Sequence, residues 1–260
     1  MRTFPPERIV CLTEETVETL YLLEQQDRIV GVSGFAVRPP GVRREKPRVS
    51  AFTSADIPKI MALKPDLVLT FSDLQADIVA ALLREGLTVM GYNQRDLAGI
   101  MAMIRQLGAM VGCSEQSEEL AGSYERRLQD IRKNVSGRSR PKVYFEEWDD
   151  PMISGIHWVS ELIEVAGGDD VFRTLASKSK AKDRIVQSAD VIAAMPDIII
   201  ASWCGKKVRS EKIMARSGWD VIPAVVNDRI VEIKSPLILQ PGPAALTDGL
   251  DAIELALSVF

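Results

Sequence analysis

Ser54-Ala55-Asp56 opens a stretch that runs through Ile57, Ile60 and Met61 to Pro65-Asp66-Leu67-Val68-Leu69-Thr70-Phe71. The same plan returns as Ser188-Ala189-Asp190, followed by Pro196-Asp197-Ile198-Ile199-Ile200-Ala201-Ser202-Trp203. Each copy reads as a short helix, a proline that ends it, and an apolar run of buried-strand type. One copy lies in each half of the chain, which predicts two similar lobes. Chance likeness between two βα units is the competing explanation, and the repeat by itself leaves both standing.

Outward from the first copy, strand and helix patterns alternate. Residues 8–12 are a short apolar run; Thr13 follows as a candidate N-cap, with Glu14 and Glu15 in the first turn, where the helix dipole favours acids. Residues 27–32, 66–71 and 87–92 read as strands, and 77–85 and 97–110 as helices. Such alternation predicts a parallel sheet with helices on both faces. Around the second copy the alternation restarts, with strands at 142–146 and 196–202, helices at 159–165 and 186–194, apolar β-rich runs at 221–226 and 229–233, and a closing helix at 246–257.

The residues from 114 to 135 differ. Leu120, Tyr124, Leu128, Ile131 and Val135 form one stripe, and the opposite face carries Glu118, Glu119, Arg126, Asp130 and Lys133. A helix of some 20 residues spans about 30 Å, the width of a small domain. The expected fold is therefore α/β: two Rossmann-like lobes, residues 1–113 and 139–260, joined by one long helix within 114–138, with a ligand cleft between them.

Composition narrows the function. The net charge of −4 and pI near 5.3 give no electrostatic footprint for nucleic acid. No run approaches the roughly 18 apolar residues of a membrane span. Three cysteines without close spacing, Cys11, Cys113 and Cys204, make neither a disulfide framework nor a zinc site. A single histidine, His157, argues against a histidine-rich metal centre, and no nucleophile or phosphate-loop motif is present. No metal, no cofactor and no catalytic residue are expected, so the chain reads as a binder rather than an enzyme. It begins without an apolar leader, so as it stands the expected location is the cytoplasm; a periplasmic or cell-surface location is the alternative if a leader has been removed.

Candidate contacts cluster at predicted strand ends, where open α/β sheets bind ligands. Glu146-Glu147-Trp148-Asp149-Asp150 ends one strand, and it reads either as a cleft wall presenting Trp148 or as a solvated acidic loop. His157-Trp158 precedes a helix; a ligand contact and a packed or capping role are both open. Phe35, Phe71 and Trp203 end three further strands, as ligand-facing aromatics or as core. A largely apolar, flat-walled site suits a macrocycle or a large chelate better than an ion. Lys206, Lys207, Arg209 and Lys212 follow Trp203 as a basic loop.

At these residues the chain resembles the helical-backbone substrate-binding proteins of ABC importers for vitamin B12 and ferric siderophores. The likeness rests on Thr13-Glu14-Glu15-Thr16-Val17-Glu18, on Val30-Gly31-Val32-Ser33 before Pro39-Pro40, and above all on Ile60-Met61-Ala62-Leu63-Lys64-Pro65-Asp66-Leu67-Val68. Leu162 to Gly168 and Gly242-Pro243 through Leu250 extend it over nearly the whole chain, and the cobalamin-binding branch is nearest. The sequence departs from the family at Glu14, where a proline is usual, at Ala244, where an arginine is common, and near Asp183, where the cobalamin branch has an aromatic. The resemblance implies a monomer that reversibly binds a corrinoid or ferric chelate and docks on an ABC permease through one carboxylate per lobe; the first place matches Asp77, and the second falls at Ala189, beside Asp190. A cytoplasmic non-transport binder of corrinoids or tetrapyrroles, and an enzyme acting on a bound chelate through Glu147, Asp149 and His157, are the alternatives.

Overall fold

A computed structural model describes residues 4–260; Met1–Thr3, the start of the expected first lobe and of the leader reading, lie outside the described residues. The chain divides into two compact units, one of residues 4–94 and 98–124, the other of 95–97 and 125–260. The helix Ser114–Asn134 contributes to both.

In the first unit, strands β1 (Ile9–Cys11), β2 (Ile29–Ser33), β3 (Arg48–Ser50), β4 (Leu67–Phe71) and β5 (Val89–Tyr92) form an all-parallel sheet in the order β3-β2-β1-β4-β5. β1 and β4 are buried along their whole length, which explains their unbroken apolar runs. The chain leaves β1 toward β2 and β3 on one side and returns to β4 and β5 on the other. The order therefore reverses between β1 and β4, the place where such sheets open a crevice at their carboxyl ends.

The second unit is built around β6 (Lys142–Asp149), β7 (Met152–Ser154), β8 (Asp169–Asp170), β9 (Ile198–Ala201) and β10 (Ile230–Glu232). The order is β10-β9-β6-β7, with β8 also paired to β6. β9 runs parallel to both β6 and β10, whereas β7 is antiparallel to β6, so this sheet is mixed. Two sequence expectations need correction here. The first strand continues past Glu146 to Asp149 and turns back as β7 through a stretch expected to be irregular, since Pro151 and Gly155 masked three residues of strand. The run 221–226 is not β: a 3₁₀ turn (Trp219–Val221) leads into a helical turn (Pro223–Val226), because Pro223 at the first helical position presets the helical φ.

The repeated sequence plan has one physical meaning in both units. Lys64 and Met195, each just before the proline, take left-handed backbone (φ 49° and 50°) and end the preceding helix. The aspartate after each proline then ties its strand to the first strand of its own sheet. Asp66 accepts the backbone N–H groups of Glu7 (2.8 Å) and Arg8 (3.0 Å), while its own N–H donates to the Arg8 carbonyl (2.9 Å). Asp197 accepts the Lys142 N–H (2.8 Å) and returns its N–H to the Lys142 carbonyl (2.8 Å). β1 and β4 are thereby held in register, as are β6 and β9, and the register fixes which residues emerge together at the carboxyl ends.

In the first unit, helices Leu97–Met110 and Ser114–Asn134 meet closely at Gly108, where an added Cβ would come within 2.1 Å of the Ser117 Cβ. That contact turns the buried face of the longer helix through Ser117, Ala121 and Tyr124 and leaves Leu120, expected in the stripe, only partly covered. In the second unit, Leu128 and Ile131 are buried as expected. Arg127 reaches Asp251 on the helix Leu250–Leu257.

Asp66→Ala and Asp197→Ala each remove a charged acceptor from two or one backbone donors. Each should lower stability in urea unfolding by about 1.5–3 kcal/mol. Surface aspartates such as Asp183 should show changes within about 0.5 kcal/mol on the same substitution.

Candidate functional site

At the carboxyl end of the first sheet, Gln75 holds the crevice between β1 and β4. Its side-chain oxygen accepts the Phe71 N–H (3.1 Å), and its amide nitrogen donates to the carbonyls of Leu12 (3.2 Å) and Phe52 (2.9 Å). Phe71 is 5% exposed and pairs in register with Tyr92, while Phe35, just past β2, is 48% exposed. Of the two phenylalanines expected to face a ligand, Phe35 presents an open ring and Phe71 packs beneath the surface.

After β1 stand two buried carboxyl groups that sequence reasoning treated as ordinary first-turn acids. Glu14 and Glu15 open the helix Glu14–Leu22 directly after β1. Both are buried, and neither forms an ion pair among the described residues. Burial pushes the Glu14 carboxyl up to about 7 despite hydrogen bonding from backbone N–H. Burial, reinforced by the charge of Glu14, pushes Glu15 up to about 8 against a hydrogen bond from Thr13. The dipole at a helix N-terminus favours charge by only about 0.3–1 kcal/mol near the surface, and desolvation outweighs it here. Thr13 does not cap the helix as expected; its hydroxyl lies 3.4 Å from that of Thr16. The Tyr92 hydroxyl is raised by burial and by the neighbouring Cys11 and Glu15, and the Cys11 thiol is pushed by burial to about 12. Tyr92 Oη and Glu15 Oε1 are buried without a hydrogen-bond partner.

The carboxyl end of the second sheet has the opposite character. Every carboxylate of β6 meets a cation. Glu146, fully buried, takes a two-pronged ion pair from Arg216 (2.5 and 2.9 Å) and hydrogen bonds from Trp203 Nε1 (3.0 Å) and the Tyr144 hydroxyl (3.1 Å). Glu147 is held at 2.6 and 3.0 Å by both terminal nitrogens of Arg184, itself 1% exposed. The Arg184 guanidinium also donates to the Ser154 carbonyl of β7. Asp149 is paired with Lys206, whose ammonium lies 4.0 Å from the Trp148 ring centre and 5.0 Å from that of Trp203. A cation held between aromatic faces and a carboxylate fixes all three side chains. Trp148 Nε1 donates to the Asp150 carbonyl (2.9 Å), which anchors the half-buried ring at the turn into β7.

The remaining expected residues divide. Trp203 and Trp158 are core residues, 2% and 3% exposed; Trp158 Nε1 donates to the Ile238 carbonyl (2.9 Å). His157 is half-buried at the start of the helix His157–Val165, and its Nδ1 has no partner. In this unit Trp148 and Trp203 are brought together by Lys206; His157 and Trp158 stand at the next helix start. Asp77, in the first turn of the helix Ala76–Arg84, and Asp190, in that of Ser188–Ala194, are both exposed. One oxygen of Asp190 accepts the Gln187 N–H (2.9 Å), completing a capping box. Among the described residues no group of three or more histidines, cysteines or acids is placed to hold a metal. Nor, among the described residues, is any helix long and apolar enough to cross a membrane. Arg184 and Arg216 were missed in the sequence, because their partners stand 37 and 70 residues away and no local motif marks either.

Comparison with known proteins gives the same fold. The profile of the family described as periplasmic binding protein matches residues 9–237. The chain is 27% identical to a vitamin B12-binding protein of Vibrio cholerae, over 97% of this chain and 88% of the relative. It is 27% identical to an uncharacterised ABC transporter substrate-binding lipoprotein of Bacillus subtilis, over 98% and 80%. The solved structure of the periplasmic vitamin B12-binding protein of Vibrio cholerae superposes with a TM-score of 0.78 at 25% identity, covering 99% of this chain and 98% of that one. The expectation of a cytoplasmic location is overturned by these findings, since the matching family and that solved relative are periplasmic. The enzyme alternative falls as well: the relatives are binding proteins, and Glu147 and Asp149 are spent on Arg184 and Lys206.

Arg184→Met leaves Glu147 without its cation and should cost about 3–5 kcal/mol in urea unfolding; adding Glu147→Leu should recover most of that loss. The first unit generates a pH effect. Glu14 and Glu15 bind protons more tightly folded than unfolded, so their contribution is fully present below about pH 4.5 and is lost as pH rises through 7 and 8. Stability should fall by on the order of 6 kcal/mol between pH 5 and 8.5, at about 1.4 kcal/mol for each pH unit over which either carboxyl group stays protonated only in the fold. The double variant Glu14→Gln/Glu15→Gln should flatten that slope in denaturation curves taken across this range.

Proposed function

The chain belongs to the periplasmic binding protein family as the substrate-binding partner of an ABC importer, and from that premise we propose that its ligand is a corrinoid, bound reversibly. The observation that carries this reading is the neutralisation at the end of β6. Arg184, Arg216 and Lys206, the three cations that reach it, are already paired to Glu147, Glu146 and Asp149. An anionic chelate or a haem, with its two propionates, needs cations that are free to meet it. A corrinoid offers a broad, largely neutral ring that stacks on aromatic surface. The likeness to a vitamin B12-binding protein along the whole chain supports the same ligand.

Phe35, Trp148 and His157 are the proposed contacts, because their side chains are at least partly open; Phe71, Trp158 and Trp203 are core residues. Asp77 and Asp190, exposed at helix N-termini, are the proposed contacts with the permease.

Titration with cyanocobalamin should quench tryptophan fluorescence saturably, and Trp148→Ala should weaken binding at least about 30-fold, as expected for a buried aromatic anchor. Asp77→Lys should bind cyanocobalamin as the unmodified protein does and fail to stimulate ATP hydrolysis by its reconstituted permease. Saturable quenching by haemin or a ferric hydroxamate, with none by cyanocobalamin, would overturn the corrinoid assignment.

A further inference from the structure

We propose that a basic groove along β3, in the first unit, is a binding site for a phosphate ester group. The groove is open, about 630 Å³ in volume, and lined by Arg43, Arg44, Lys46, Arg48 and Lys59, with Glu45 as its one acid among the described residues. Gly34, just past β2, and Ser50, the last residue of β3, complete the lining. Both stand at the carboxyl end of the sheet, and Gly34 adjoins Phe35, the open aromatic ring of this unit.

None of the five cations forms an ion pair among the described residues, whereas every cation at the end of β6 has its own carboxylate. Glu45 neutralises little of the charge, because one of its oxygens is turned to the Tyr21 hydroxyl (2.9 Å). In a chain of net charge −4, so many unpaired cations around one groove make a local positive field that attracts an anion.

Two of the cations are held in place. Lys59 Nζ donates to the Arg48 carbonyl (2.7 Å), and Arg43 Nη1 donates to the Gly34 carbonyl (3.3 Å). An ammonium has three donors and a guanidinium five, so each keeps N–H groups for a ligand after its backbone bond is made. Ser50 adds a hydroxyl whose oxygen has no hydrogen-bond partner.

Charged side chains also serve to blunt an edge strand, and β3 is the edge of its sheet. That task is already met here by fewer groups. Lys59 covers the Arg48 carbonyl, and the Asp56 N–H covers the Val49 carbonyl (2.9 Å). Arg43, Arg44 and Lys46 lie outside β3 and are not needed for it.

The residue types select the anion. A planar carboxylate is satisfied by one guanidinium fork, whereas the tetrahedral oxygens of a phosphate accept from several directions. Three arginines and two lysines around one groove suit the second. The place beside Phe35 favours a phosphate carried by the ligand, a source that rests on the corrinoid reading. A corrinoid with a nucleotide tail carries one phosphodiester, and the cations at the end of β6 are already paired. The headgroup of an anionic lipid offers the same chemistry from a membrane surface.

Dicyanocobinamide and its phosphate ester share one ring and differ by the phosphate. At low salt the ester should bind at least about tenfold more tightly. The gap should fall to within about threefold in about 0.5 M sodium chloride, where exposed charges are screened. It should close to the same extent at low salt in Arg43→Gln/Arg48→Gln, which should bind dicyanocobinamide as the unmodified protein does and keep its circular dichroism. Lys178→Gln/Lys182→Gln removes the same charge from exposed positions of the second unit and should leave the gap intact. Sedimentation with vesicles of phosphatidylglycerol or of phosphatidylcholine tests the other source. No gap between the corrinoids, with retention on phosphatidylglycerol alone that Arg43→Gln/Arg48→Gln abolishes, would keep the site and overturn the tail as its source. Equal binding of the two corrinoids with no retention on either vesicle would overturn the site and leave the corrinoid reading intact. Failure of both corrinoids to bind would overturn that reading and the tail with it, and the vesicles alone would then decide the groove.

Discussion

An aspartate after a proline, donating and accepting across to the first strand of its sheet, sets the geometry on which everything else depends. Asp66 grips the start of β1 and Asp197 the start of β6. Because a strand slip of one residue turns every side chain to the other face, these contacts decide which residues reach the carboxyl ends. Phe71 comes to lie beside Tyr92, and Glu146 beside Ala201, where Trp203 and Arg216 can meet it.

The two carboxyl ends then solve the problem of buried charge in different ways. In the second unit each acid of β6 has a dedicated cation, and such pairs owe their value to geometry, because desolvation offsets much of the attraction. Their effect is to make this surface rigid and nearly neutral, with Trp148 held by Lys206 and by the Asp150 carbonyl. In the first unit Glu14 and Glu15 are paired with no cation among the described residues, and burial raises both toward the neutral form. The end of β6 is thus built for stacking, which is what a large, neutral ring asks for.

Much of the architecture was legible in the sequence because it is local. The repeated Ser-Ala-Asp…Pro-Asp plan, the unbroken apolar runs of β4 and β9, and the long helix from Ser114 all carry periodic signals that short windows reveal. Helix and strand bounds went astray where a local rule was overridden, as at Pro223, or where a strand was too short to show a period, as at β7. The site was harder to read for a different reason. Trp148 and Phe35 were singled out from their place at strand ends, and His157 from its place before a helix. The cations that neutralise the acids of β6, Arg184, Arg216 and Lys206, come from 37 to 70 residues away. Exposure was equally hidden: Trp158 and Trp203 look like Trp148 in sequence, and only packing shows that they are core.

The central claim is that a neutral macrocycle, not an anionic one, fits the neutralised aromatic surface at the end of β6. Equilibrium dialysis of the protein against an equimolar mixture of cyanocobalamin and haemin tests it most directly, because the two ligands compete under one condition and are told apart by their visible spectra. The account predicts that cyanocobalamin is retained at one equivalent and that haem stays with the dialysate. Retention of haem in place of the corrinoid would contradict it.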